Sequence, residues 1–176
     1  MVTRYLGAGI AFDRREGYIW MNGEMIPWKS AKVHVLTHAL HYASSVFEGE
    51  KSYSKKVFKL LEHSERLKRS GELLDFELPY SVLEINKATI DVVEQYADEE
   101  LYVRPVAWRG SEMMGVSGQG NKIHVAISAW STPKPPCIDE RMHGVGLGLS
   151  KWIRTAPTMA PIAAKAAGLY MSGTLA

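Results

Sequence analysis

The stretch Ala163-Ala164-Lys165-Ala166-Ala167-Gly168-Leu169-Tyr170 sets one ionisable side chain among small apolar neighbours. Such neighbours keep bulk water away from the amine and disfavour its charged form, which makes Lys165 a usable nucleophile near neutral pH. Alanine and glycine also leave room for a flat ring to lie against the backbone. Composition leaves a second reading open, a helical lysine whose stem covers alanines while its head reaches water. The choice between a reactive and a solvated lysine decides the fold, and it rests on residues further out.

The chain has 176 residues, of which 46% are hydrophobic, enough for one domain or two small ones with a core. Its 21 basic and 19 acidic side chains are dispersed and leave a formal charge of +2, so there is no electrostatic footprint for nucleic acid. A single cysteine, Cys137, excludes an internal disulfide framework and suits a reducing compartment. Arg4, Asp13, Arg14 and Arg15 flank only a short apolar patch, which makes neither a signal peptide nor a membrane span. A cytoplasmic location is the expectation.

Working back from the lysine, Ser131-Thr-Pro-Lys-Pro-Pro136 is the clearest linker, because its prolines resist both helix and sheet. A strand-like segment is expected from Gly144. Upstream, Tyr18–Met21 and Glu24–Ile26 read as a hairpin closed by Asn22-Gly23. Val46–Tyr53 and Lys56–Leu60 read as a second pair turning through Ser54-Lys55. A helix over Glu62–Leu74 follows from leucines at 60, 67 and 74. Ser81 and Glu84 fit a capping box before a helix whose face is Val82, Ile85, Thr89, Val92, Val93 and Tyr96. Leu101–Trp108 and Lys122–Trp130 read as strands, with Ile123, Val125 and Ile127 alternating against His124, Ala126 and Ser128. The expectation is an α+β chain: a small domain over 1–130, a linker over 131–143, and the start of a larger domain over 144–176.

Ala156-Pro157-Thr158 through Tyr170, with His38-Ala-Leu-His-Tyr42 and Val46-Phe47-Glu48-Gly49 upstream, resembles the branched-chain aminotransferases, pyridoxal 5′-phosphate enzymes of fold type IV. The resemblance runs from about Tyr18 to Tyr170, with several separated motifs in the family's order. It implies transamination between a branched-chain L-amino acid and 2-oxoglutarate, by alternation through pyridoxamine phosphate, in a homodimer. Lys165 matches the Schiff-base lysine, which also moves a proton. Arg66 matches the arginine that binds the cofactor phosphate, a role suited to a planar guanidinium; spacing alone favours a surface residue paired with Glu62, and only the resemblance reverses that. Tyr170 matches the tyrosine bonded to the cofactor's phenolic oxygen, and otherwise reads as a half-buried tyrosine.

Arg104 sits in the apolar run Leu101–Val106, where a charge must be paired or wet. The resemblance assigns it to the side-chain carboxylate of glutamate. Tyr42, Phe47 and Trp130 fall at pocket walls, with Tyr42 reaching the partner's site; by composition alone they are core aromatics. His38 and His41 have the spacing of a metal pair but no further ligand cluster, and read as loop-ordering residues. Gly144-Val-Gly146-Leu-Gly148 has the wrong spacing for a dinucleotide fingerprint, and Gly115–Gly120 reads as a connection between strands.

Family members are longer than this chain. The resemblance implies that the part beyond Ala176 carries the acid facing the pyridine nitrogen and the loops that hold the phosphate. The sequence therefore reads as the N-terminal portion of such an enzyme. The alternatives are a sibling of the same fold (a D-amino-acid transaminase, an amine transaminase or the aminodeoxychorismate lyase) and an inactive fragment or interaction module. D-amino-acid transaminases typically carry Arg-x-His where this chain has Arg104-Pro105-Val106, which favours the branched-chain reading.

Overall fold

The structure is a computed structural model describing residues 10–97, 100–131, 142–144 and 146–176. Its strands are β1 (Tyr18–Met21), β2 (Glu24–Pro27), β3 (Ser45–Phe47), β4 (Glu50–Tyr53), β5 (Lys56–Val57), β6 (Leu101–Arg109) and β7 (Ile123–Ser131). The longer helices are α2 (Leu60–Leu73) and α3 (Val82–Glu94); a short α1 spans His38–Tyr42. Among the described residues the strands form one sheet in the order β2-β1-β7-β6-β4-β5, with β3 also paired to β6. Every pairing is antiparallel.

The period-2 pattern of β6 and β7 separates the two faces of this sheet. Leu101, Val103, Ala107, Val125, Ile127 and Ala129 are buried against Leu67 of α2 and Ile85, Ala88, Val92 and Val93 of α3. Tyr102, Arg104, Val106, His124, Ser128 and Trp130 occupy the alternate positions and are only partly buried. The polar and aromatic row therefore lies on the face away from those helices, which is where a site can be built.

Local signals act as the sequence predicts. Asn22 and Gly23 have φ of 53° and 100°, the two positive values that a type I′ turn needs. The Asn22 carboxamide also accepts from Val125 N–H at 3.0 Å, which ties the hairpin to β7. Ser81 Oγ accepts from Glu84 N–H at 3.2 Å, and the Glu84 carboxylate accepts from Ser81 N–H at 2.7 Å, a complete capping box on α3.

Three expectations change. Val46–Tyr53 is two strands, because β6 carries Pro105 opposite the break. Proline has no N–H for a neighbouring strand, so β3 pairs with Val106–Trp108 and β4 with Leu101–Val103. The second hairpin is shorter than the pattern predicts: Lys59 adopts φ 55°, and α2 begins at Leu60. Of the leucines at 60, 67 and 74 only Leu67 is fully buried; the other inward positions of α2 are Ser64, Ser70 and Gly71. Residues 146–150 form no strand, and Leu147 and Leu149 lie exposed. An isolated extended segment without a ladder partner gains nothing that would hold it in a sheet. Most of the proline-rich linker lies outside the described residues.

Candidate active site

The lysine segment is held by backbone bonds to two elements. Lys165 N–H donates to Ser70 Oγ of α2 at 3.0 Å, and Lys165 C=O accepts from Phe47 N–H of β3 at 3.0 Å. Val46 and Ala166 add an isolated antiparallel bridge. Ala164 and Ala166 are buried while Lys165 between them is half-buried, the alternation of an extended chain. Ala164 and Ala166 are thus packed into the core, and the rings nearest the amine are aromatic. Lys165 Nζ lies 4.8 Å from the Phe47 ring centre and 5.3 Å from that of Tyr170, and it donates to Tyr170 Oη at 2.9 Å. Tyr170 reaches this position from a 3-10 turn, Ala167–Tyr170.

Lys165, Tyr170, Arg66 and Arg154 line one open cleft of about 420 Å³. Arg66 is not paired with Glu62, which binds Lys59 instead. Its Nε donates to Glu48 Oε1 at 2.6 Å and its Nη2 to Glu48 Oε2 at 2.7 Å, a bidentate fork. Glu48 is fully buried, and His63 Nδ1 lies 2.8 Å from the same carboxylate. Burial alone would raise the Glu48 pKa, but the hydrogen bonds from Arg66 and His63 outweigh it and hold the carboxyl below its ordinary value. Half of the Arg66 side chain stays exposed. Its base is thus fixed by a buried anion, while the remaining N–H donors can meet an anion in the cleft.

Arg104 stacks on Phe47, with Cζ 4.5 Å from the ring centre, and its Nη2 donates to Tyr102 Oη at 2.7 Å. Its Nε is buried with no partner among the described residues. Tyr102 packs on Trp130 at 4.9 Å, so Phe47, Arg104, Tyr102 and Trp130 form a continuous row leading from the lysine. Trp130 also packs edge-on against Phe12. Tyr42 does not line the Lys165 cleft; its hydroxyl donates to Met114 C=O at 3.3 Å and its ring lies 4.7 Å from that of His38. His38 bonds Ser44 Oγ and Gly115 C=O, and His41 bonds Val35 C=O, so both histidines order loops.

Three contributors have no role assigned to them from the sequence: Tyr102, Glu48 and Ser70. Tyr102 was accessible, since it sits two residues before Arg104 and shares its face of β6. Glu48 and Ser70 were not, because their partners are remote in sequence. A second hollow of about 350 Å³ lies on the open sheet face against Ile19, Met21, Val33, Leu40, Val106 and Trp108. Among the described residues that line it none is ionisable.

Residues 45–176 match the model of the Amino-transferase class IV family. The "Probable branched-chain-amino-acid aminotransferase" of Rickettsia bellii is 44% identical over 153 residues, covering 87% of this chain and 52% of that protein. The branched-chain-amino-acid aminotransferase of Pseudomonas aeruginosa is 37% identical, covering 92% and 54%. Among solved structures, a branched-chain amino acid aminotransferase complexed with N-(5′-phosphopyridoxyl)-L-glutamate superposes with a TM-score of 0.84 at 35% identity, over 92% of this chain and 54% of that one. The branched-chain aminotransferase of the archaeon Thermoproteus uzoniensis with norvaline gives a TM-score of 0.83 at 32% identity, over 92% and 55%. The chain thus spans about half the length of the relatives it matches. The superposition bears out the α+β, fold-type-IV expectation. With the family match reaching from β3 through the lysine segment to residue 176, the chain belongs to the class IV amino-transferase family.

Proposed function

We propose that this chain is part of a pyridoxal 5′-phosphate-dependent branched-chain-amino-acid aminotransferase, moving an amino group between leucine, isoleucine or valine and 2-oxoglutarate. One observation carries the reading: the Lys165 amine meets the Tyr170 hydroxyl at 2.9 Å in the cleft that Arg66 also lines. The donor set fits the cofactor, since an amine, a phenol and a guanidinium match an aldehyde, a ring oxygen and a phosphate. The cleft also has the volume of a small-molecule site. Lys165 would hold the cofactor covalently, Arg66 its phosphate and Tyr170 its ring oxygen. When bound, pyridoxal phosphate supplies the electron sink for bond cleavage at an amino acid's α-carbon.

The remaining work belongs to the chain's own groups. Lys165 Nζ accepts and returns a proton, with the Tyr170 hydroxyl fixing its direction. The Phe47 ring covers one side of the amine. Arg104, with a buried and unpartnered Nε, suits the side-chain carboxylate of glutamate, while Phe47 and Trp130 present apolar walls to aliphatic side chains. The exposed Tyr42 supports a homodimer in which that residue serves the partner's site. Among the described residues no helix is long and apolar enough to cross a membrane, and the cytoplasm is the location we infer. The division at about residue 130 into a small domain and the start of a larger one belongs to the same reading.

The test is an absorption spectrum of the chain with pyridoxal 5′-phosphate, before and after borohydride, beside Lys165→Ala. A visible band that borohydride bleaches, with the cofactor left attached at residue 165 and neither effect in the variant, is the expected result. Equal spectra for the two proteins would overturn the assignment of Lys165 in this chain.

A further inference from the structure

Glu50 has no part in the chemistry above, yet it lies buried within electrostatic reach of the arginine proposed to hold the phosphate. The residue is 2% exposed, and among the described residues neither carboxylate oxygen has a hydrogen-bond partner. Ser52, on the same face of β4, and Ser64, on the buried side of α2, have hydroxyls that are likewise buried and without a partner. Buried polar atoms are nearly always satisfied, so each such side chain is unusual and costly to keep.

The charged groups facing Glu50 oppose one another. Glu48, from the connection between β3 and β4, repels it; Arg66, from α2, attracts it but is already forked onto Glu48. His63 of α2 is bonded to that same Glu48, and β6 presents only Val103 opposite Glu50. Burial first, and then Glu48, push the Glu50 carboxyl up to about 8.

We propose that Glu50 is a positioning residue for the phosphate site: its neutral acid leaves Glu48 as the one carboxylate acting on Arg66, and its ionised form competes for that guanidinium and loosens its hold on a phosphate. This rests on the pyridoxal-phosphate reading given above. When the Glu50 proton leaves to solvent, the cluster of Glu48, Glu50 and Arg66 loses one unit of positive charge, and a dianion nearby is held less tightly. Linkage makes the effect reciprocal, so a bound phosphate raises the pH at which Glu50 ionises.

The experiment titrates pyridoxal 5′-phosphate into the chain and into Glu50→Gln on both sides of about pH 8. Protonation changes within the cofactor and at Lys165 act on both proteins, so the difference between the two curves reports Glu50. The expected result is an affinity that falls by roughly tenfold more in the wild type than in the variant across that range. Carbon-13 spectra of the glutamate carboxyls supply a second readout. One resonance should titrate near pH 8, vanish in Glu50→Gln, and move to higher pH when the cofactor is added. Equal pH dependence of binding in the two proteins overturns this inference alone, as does a Glu50 carboxyl that titrates in the ordinary range. Absence of binding by either protein at every pH overturns the cofactor reading and this inference with it.

Discussion

Glu50→Gln should stabilise the chain in alkaline solution and leave it unchanged in acid. The unfolded chain ionises Glu50 at the ordinary value of 4.5, whereas the folded chain holds the proton to about 8. A raised folded-state pKa gives a contribution to stability that is complete below 4.5 and gone above 8. Between these limits folding takes up a proton, and stability falls by about 1.4 kcal/mol per pH unit. The whole span corresponds to an upper bound of about 5 kcal/mol, and relaxation or water entry around the carboxylate would reduce it. Glutamine has the same shape and no charge, so the variant lacks this slope. Urea unfolding at several pH values, with the midpoint and slope recorded for both proteins, measures the difference. Wild type and variant should converge near pH 4 to 5 and diverge steadily towards pH 8 to 9, with Glu50→Gln the more stable. Glu48 acts in the opposite sense: its pKa is lowered, so its contribution is lost as the pH falls, and it shapes the acid limb in both proteins. Parallel curves across the whole range, or a variant weaker at every pH, would refute the claim that Glu50 is buried as a neutral acid.

Other substitutions probe the neighbouring parts. A Cβ at Gly49 would overlap the Tyr102 hydroxyl, so Gly49→Ala should destabilise by about 1 to 3 kcal/mol. Since that hydroxyl accepts from Arg104, the proposed aminotransferase role predicts that any KM for glutamate rises more than that for leucine; an equal rise in both would separate Arg104 from carboxylate selection. Ser81→Ala removes one half of the α3 capping box and should lower stability by about 1 kcal/mol in a thermal melt, with cofactor binding unchanged. A loss of binding there would show that α3 communicates with the site.

The parts of the fold legible in the sequence are those whose cause is local. The Asn22-Gly23 turn, the Ser81/Glu84 cap and the alternation in β7 each draw on residues within a few positions, and each is found as read. Leucine spacing finds the helix α2 but not its buried face, which beside Leu67 uses Ser64, Ser70 and Gly71, residues a hydrophobic period does not register. Arg66 shows the same limit at the site. Its sequence neighbour Glu62 is the obvious partner, yet a buried carboxylate outcompetes an exposed one because less water screens it, and Glu48 is fully buried while Glu62 is half exposed. Lys165 stands out in the sequence, but Ala164 and Ala166 on either side of it are buried, and the groups that meet the amine are Phe47 and Tyr170.

The site's organising stretch is therefore Val46-Phe47-Glu48 rather than the lysine segment. Pro105 ends the ladder beside these residues, and β3, freed from continuing into β4, meets the lysine segment along its other edge. Three consecutive side chains then serve three separate ends. Val46 sits in the core and bridges Ala166; the Phe47 ring contacts Lys165, Tyr170 and Arg104; Glu48 turns inward to fix Arg66. Alternation along one short strand thus sets the relative positions of the amine, the phenol and both arginines. A change in the register of β3 by one residue would exchange the inward and outward side chains, burying Phe47 and exposing Glu48. Lys165 would lose its wall and Arg66 its anchor together, and neither loss could be repaired by a substitution at the lysine itself.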